Sequence, residues 1–406
     1  MQSVDILDGP KAWRRLALTL LIATIGNVGM WAIIVILPQI EAEFGGSRSQ
    51  AALPYTAMMF GFALGNLGMG RLVDRFGITV ALIFAMICVA VGFVASALSG
   101  SIWTLSALQF LVGFGSAVCF GPLIADVSLW FLKRRGIAVA IAASGNYLSG
   151  AIWPLLLSAP LQSEGWRFVF FVLAALVLLT VVPLSLLLRE RIPDISRQRA
   201  DAVSYARSHS AGFSPRFLMW LLGLAGVGCC VAMSMPQVHI VALCVDLGFG
   251  AVVGGQMLSL MLLGGVVSRI ISGLVADWLG GVRTLLIGSV LQCLALFLYL
   301  PAGGLVSLYV VSLIFGLSQG GIVPSYALVV REYMPSHEAG RRVGFVMMLT
   351  IFGMALGGWM SGWIYDLTGD YTLAFINGIA WNFLNIGVML MLLYRTRPRA
   401  PKGVTV

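Results

Sequence analysis

One arginine interrupts a long apolar run. In the stretch QMLSLMLLGGVVSRIISGLVADWLGG, residues 256–281, Arg269 is the sole basic side chain, and the run is long enough to cross a bilayer. An arginine at the centre of a spanning helix costs roughly 2.5–3.5 kcal/mol, so it is expected to face a partner or a water-filled cavity. Its helical neighbours are Gly265 at i−4, Ser272 at i+3 and Gly273 at i+4. On so shallow a face a small anion could reach the guanidinium, which stays charged at any ordinary pH. The competing reading is that Arg269 snorkels to the surface, about 10 Å away if the helix ends near Ala276. The second group able to do chemistry is His239, in SMPQVHIVALC, the one histidine away from the loops. An unperturbed pKa of about 6.5 suits reversible protonation. His239 is therefore a candidate for proton coupling or ligand binding, set against a structural histidine bonded to a neighbouring helix.

The elements that must position these side chains are apolar. Of 406 residues, 59% are hydrophobic and 10% charged, against about 25% charged in soluble domains. Forty-eight glycines fit helices packing closely in lipid. Segments of about 20 apolar residues recur twelve times, from 16–38 and 51–70 through 251–276 to 371–394, so an all-α membrane protein with twelve transmembrane helices is expected. The six cysteines, Cys88, Cys119, Cys229, Cys230, Cys244 and Cys293, lie in apolar segments without metal-ligand spacing and read as small core residues. No cofactor or metal is expected, and no signal peptide is visible.

The net charge of +9 would suit nucleic acid if its distribution did not say otherwise. Every Lys and Arg except Arg48, Arg167 and Arg269 falls at the termini or in the even-numbered connections. That bias predicts both termini in the cytoplasm, with the basic residues meeting anionic headgroups.

A polar linker over 190–215 separates two halves, residues 1–189 and 216–406, each with six expected helices. Gly70-x-x-x-Asp74-x-x-Gly77 recurs as Gly273-x-x-x-Asp277-x-x-Gly280, offset by 203, and Gly113 matches Gly316 at the same offset. Such a repeat argues for a duplicated unit. Twelve helices in two pseudo-symmetric halves, with Gly70-Arg71-Leu72-Val73-Asp74-Arg75-Phe76-Gly77 after the second, resemble the major facilitator superfamily across essentially the whole chain. The usual basic pair after the last glycine is replaced by Ile78-Thr79. By this resemblance the loop is a cytoplasmic latch, with Asp74 against the start of helix 11 and Asp277 against the start of helix 5. Asp126 is expected to pair with a cytoplasmic-side arginine, Arg75 for instance, in the same closure.

Within the superfamily, proton-driven drug exporters carry an Arg in helix 4 four residues before a glycine; here Gln109 precedes Gly113. The helix-8 Arg269, four residues before the Gly273 motif, is instead similar to that of the monocarboxylate transporters and the oxalate:formate antiporter, as is Trp130-Phe131-Leu132-Lys133-Arg134-Arg135-Gly136. The oxalate transporter's helix-11 Lys is absent, and so are the animal monocarboxylate transporters' helix-1 Lys and their Asp at the place of Gly265. The first-half counterpart of Arg269 is Asn66. One buried cation suits one carboxylate. The resemblance thus implies a proton-coupled carrier of a monoanionic organic acid, monomeric, in a bacterial-type inner (plasma) membrane, working by alternating access.

Helices that line the cavity in this superfamily supply further candidates. These are Asn27 and Trp31 on helix 1, Asn146 and Tyr147 on helix 5, and Gln319 and Tyr326 on helix 10, where Pro324 can break the helix. Each could donate to a carboxylate; each could equally be interhelical glue, worth about 0.6 kcal/mol. Asn377, Trp381 and Asn385 form a stripe on helix 12 that reads as packing. A membrane enzyme is disfavoured, since no Ser/His/Asp set or metal cluster shares one depth. An exporter of amphipathic compounds and a transporter-like sensor remain the alternatives.

Overall fold

In lipid each spanning segment must satisfy its own backbone, which a helix does. The computed structural model describes residues 7–44, 53–190, 214–334 and 338–395, and these are helical with no strand among them. Most of the expected linker, together with Arg48, Arg397, Arg399 and Lys402, lies outside the described residues.

The first six helices are α1 (Pro10–Gly26, resuming as Val28–Phe44), α2 (Leu53–Phe76), α3 (Ile78–Ala97), α4 (Ile102–Ser116, then Gly121–Ser128), α5 (Arg135–Ser163) and α6 (Gly165–Leu176, continuing through a π turn to Val182–Leu186). The second six are α7 (Pro215–Asp246), α8 (Ala251–Leu279), α9 (Gly281–Tyr299), α10 (Leu305–Gln319, then Ile322–Tyr333), α11 (Ala339–Thr368) and α12 (Thr372–Arg395). Eleven are long and apolar enough to cross a membrane. The twelfth, α2, spans 24 residues but carries Asn66, Arg71, Asp74 and Arg75. Its helix runs past the apolar segment that stops at residue 70, because charged side chains at a membrane boundary do not interrupt backbone pairing.

Exposed Leu, Val, Ile and Phe cover the outer faces of the bundle. At the end bearing Pro10 and Arg395, Trp220, Trp278 and Tyr394 stand exposed; at the opposite end, Trp103, Trp359 and Trp363 do. Aromatic belts of this kind mark the two membrane–water interfaces.

The 203-residue offset has a packing equivalent. A Cβ on Gly113 would strike the Met58 carbonyl, and one on Gly316 the Met261 carbonyl. Both pairs obey the same offset, so α2 meets α4 as α8 meets α10. The two sets of six touch through α2 with α11 and α5 with α8. Gly70 lies on the Gly340 backbone and Gly273 on Ile137 and Ala140. Further along α2 and α11, Phe60 meets Phe352 edge-on at 5.6 Å.

Carboxylates close these seams. Asp74 accepts from the backbone N–H groups of Gly340 (2.9 Å) and Arg341 (2.7 Å), at the start of α11. Asp277 accepts from Gly136 (2.6 Å) and Ile137 (3.2 Å), at the start of α5. Free N–H groups and the helix dipole both favour an anion there. We call this the latch end.

Asp126 does pair with an arginine at this end, as expected, but the arginine is Arg15 rather than Arg75 and the pair lies outside the latch. Asp126 binds Arg15 of α1 through Nη2 (2.8 Å) and Nε (3.1 Å), and Arg15 also donates to the carbonyls of Leu188 and Glu190. The Arg15 guanidinium lies 4.5 Å over the Trp130 ring. Asp126 is on the inward side of α4, facing α1 of its own half, whereas Arg75 points outward over Phe76. This buried pair ties the first six helices to one another and crosses no seam between halves.

Candidate functional site

Breaks in α1, α4 and α10 shape the interior. α1 is interrupted at Asn27, α4 between Cys119 and Gly121, and α10 at Gly320–Gly321. The break in α10 falls one turn before Pro324. Proline lacks the N–H that would have paired with the carbonyl four residues back, here that of Gly320. That carbonyl instead accepts from Arg269 Nε at 3.0 Å.

Arg269 sits about 15 Å from the latch end of α8 by helical rise, near mid-membrane, and is 2% exposed. It does not snorkel. Its Nη1 crosses the seam to the Ala143 carbonyl of α5, and its guanidinium carbon lies 3.4 Å from the centre of the Tyr147 ring. Among the described residues no carboxylate pairs with it.

Tyr147 is held on both sides. Its hydroxyl donates to Gln319 Oε1 (3.2 Å) and accepts from Gln237 Nε2 (3.3 Å). A chain thus runs from α7 through α5 to α10 beside the guanidinium. Gly265 makes room, since a Cβ there would come within 2.6 Å of the tyrosine ring. Gln319 is fully buried, and its Nε2 finds no acceptor among the described residues. At the residue before Tyr147, Trp31 Nε1 donates to the backbone oxygen (3.0 Å) and Oδ1 (3.1 Å) of Asn146. Its indole lies against Gly150, where a Cβ would meet the ring at 2.5 Å.

The structure therefore brings Arg269, Tyr147 and Gln319 together at the seam, while Asn146 and Trp31 pair with each other between α5 and α1. Gln237, absent from the sequence reading, joins Tyr147. It follows Pro236 on α7, and His239, two residues on, faces away from it, as residues i and i+2 of a helix do.

The other candidates lie elsewhere. Asn27 Nδ2 donates to the carbonyls of Ala23 (2.7 Å) and Cys119 (3.1 Å), bridging the breaks of α1 and α4. Tyr326 donates to Asn385 at 2.8 Å, and Asn385 donates to Ser289, forming a seam among α9, α10 and α12. Gln109 ties α4 to α3 through Ser96 (3.0 Å).

His239 is near the end opposite the latches, where Nε2 meets the Gly358 carbonyl at 2.8 Å and Nδ1 the Tyr371 hydroxyl at 3.5 Å. Burial and nearby Asp246 push the Tyr371 hydroxyl up to about 12, so it keeps its proton and can either donate to Nδ1 or accept from it. A carbonyl can only accept, so Nε2 carries the imidazole proton. Both ring nitrogens thus have a partner.

The family model of the Major Facilitator Superfamily matches residues 19–350, and again 304–405. The chain belongs to the major facilitator superfamily. Among superfamily relatives, monocarboxylate transporter 13 of Bos taurus is 27% identical over 351 residues, covering 84% of this chain and 79% of that protein. Human monocarboxylate transporter 11 is 28% identical over 328 residues, covering 77% and 69%. The MFS-type transporter pynF of Aspergillus niger is 23% identical over 320 residues, covering 78% and 73%. The solved structure of the human organic anion transporter MFSD10 superposes with a TM-score of 0.76 at 18% identity, covering 94% of this chain and 99% of that one. The superfamily transporter FucP in its outward conformation gives 0.70 at 14%, covering 95% and 99%. This chain is thus a multi-pass membrane transporter of a small molecule, not an enzyme.

Proposed function

We propose that this transporter carries a small monocarboxylate-type organic acid together with a proton, by alternating access between the two sets of six helices. The observation that carries this reading is Arg269, a buried cation at the seam with no acidic partner among the described residues. Taking a charge into a low-dielectric site is costly unless it is paired, and two carbonyl oxygens neutralise it only in part. A carboxylate arriving at Nη1 and Nη2 would complete the pairing in bidentate form. Arg269 remains charged throughout, so a proton accompanying the anion has another carrier, for which His239 is the candidate. Monoanion plus proton makes each transport cycle electroneutral. The names of the monocarboxylate relatives support the substrate class.

In this reading the latch contacts and the Arg269–Ala143 contact belong to a state closed at the latch end, and the cycle requires access from the far side. The positive bias of the connections supports cytoplasmic termini in a bacterial-type plasma membrane, and a complete twelve-helix unit can work as a monomer. A screen of organic acids for thermal stabilisation tests the reading. Monocarboxylates should raise the melting temperature of wild type and leave Arg269→Ala unmoved. Equal stabilisation of both proteins would sink it.

A second reading, export of amphipathic compounds, draws on another relative, the agnestins efflux protein AgnL12 of Paecilomyces divaricatus, 24% identical over 331 residues. In that case Arg269→Ala keeps most of its transport.

A further inference from the structure

Arg269 owes its orientation to a residue on another helix. Gly265 and Gly320 bring α8 and α10 into backbone contact, for a Cβ on Gly320 would fall 2.6 Å from the Gly265 Cα. One turn closer to the latch end on α8, Arg269 Nε then reaches the Gly320 carbonyl at 3.0 Å. In an uninterrupted helix that oxygen is already occupied by the N–H of residue 324. Here residue 324 is proline, which has no N–H, and its ring pushes the i−4 carbonyl off the helix axis. No backbone donor occupies this carbonyl in the turn that follows. The first half has a proline near the matching break, Pro122, but the α2 side chain there is Asn66, whose Oδ1 accepts from the Gly121 N–H at 3.1 Å. One break offers a donor and meets an acceptor; the other offers an acceptor and meets a cation.

We infer that Pro324 is a positioning residue for anion binding: it frees the Gly320 carbonyl, which fixes Arg269 Nε and so turns the two terminal nitrogens toward α5 and the seam. This rests on the anion-carrier reading for its functional consequence, though the positioning itself does not. Pro324 touches no substrate; it acts through Gly320 and Arg269. An N–H restored at position 324 would compete for the carbonyl and let the guanidinium swing.

The test compares Pro324→Ala with the same position carrying an L-lactic acid residue, introduced by stop-codon suppression. The latter has alanine's methyl group but an ester in place of the amide, and therefore no N–H. Acetate, L-lactate and benzoate are the probes, ranked by how they stabilise wild type. Pro324→Ala should weaken the best probe by about tenfold, as loss of one hydrogen bond to a charged group implies. The ester should restore affinity to within about twofold. If both variants weaken binding equally, or neither does, the proline ring or nothing at all matters, and the inference falls.

A ligand-free arm separates this from the substrate reading. Arg269→Ala should shift the melting temperature less in the Pro324→Ala background than in wild type, because the Nε–Gly320 bond is already weakened there. Identical shifts would overturn the inference whatever is transported. If no probe stabilises wild type, the monocarboxylate reading fails and this arm alone decides. Folding of the ester variant but not of Pro324→Ala supports the inference; failure of both to fold overturns it.

Discussion

Asn66 and Arg269 stand 203 residues apart at matching places on α2 and α8, and each ties its helix to the break in a neighbouring one. Asn66 does so wholly within its half, donating to Phe62 (2.8 Å) and accepting from Gly121. Arg269 does the same with Gly320 and then reaches across the seam to Ala143 and Tyr147. Part of the asymmetry between the halves is therefore structural, since a free carbonyl calls for a donor. The remainder, a charge extended across the seam between the halves, is what an anion carrier can use.

The hydroxyl and the ring of Tyr147 have separable roles. Tyr147→Phe removes the bonds to Gln237 and Gln319 but keeps the face over Arg269, and should cost about 1 kcal/mol of stability while leaving anion affinity within about threefold. Tyr147→Ala also removes the cation–π contact, worth roughly 0.5–2 kcal/mol, and should weaken binding further. Melting curves with and without a monocarboxylate read both; identical affinities for the two variants would contradict the assignment.

The latch carboxylates bias the conformational equilibrium. Asp74→Asn and Asp277→Asn each weaken a carboxylate–helix contact worth roughly 0.3–2 kcal/mol, and the double variant should add because the two sites lie on different seams. Spin labels at the exposed Arg75 and Arg341 should report longer distances across the latch end. An unchanged distance distribution in the double variant would show that these carboxylates do not hold the closure.

Gly265→Ala places a methyl group in the Tyr147 ring. Overpacking of this kind costs about 1–3 kcal/mol. The tyrosine should move off the guanidinium, so that monocarboxylate affinity falls with stability. Pairing it with Tyr147→Ser, which vacates the space, should recover the melting temperature but not the affinity.

The Arg15–Asp126 pair, with side chains 6% and 12% exposed, anchors α1 to α4 and to the residues after α6. Removing one partner leaves an uncompensated charge, at a cost of about 3–5 kcal/mol. Asp126→Asn should lower the yield of folded protein sharply, and Arg15→Met with Asp126→Leu should recover much of it. Full activity and yield in Asp126→Asn would contradict the anchoring role.

The fold was legible because lipid leaves few options. Twelve apolar segments and the 203-residue repeat both point to the same helical bundle, and several helices, α1 and α2 most, run past their apolar segments. The centre of the site was legible where a residue was chemically out of place, as Arg269 is. What hid was pairing between helices distant in sequence. Asp126 lies seven residues before a basic cluster, but its partner is on α1, 111 positions away. Tyr326 and Gln319 lie seven apart on α10, but the break at Gly320–Gly321 between them sends Tyr326 to α12 and Gln319 to Tyr147. Gln237 could be found only by knowing which face of α7 turns to α5.

The most direct test is uptake of a labelled monocarboxylate, chosen as the best stabiliser of wild type, into proteoliposomes with an imposed pH gradient. Wild type should accumulate the label, faster as external pH falls, and lose accumulation when a protonophore collapses the gradient; Arg269→Ala, folded and latched, should show under about one-tenth of that uptake. Undiminished, gradient-independent uptake by Arg269→Ala would contradict the claim that this buried guanidinium receives the transported anion.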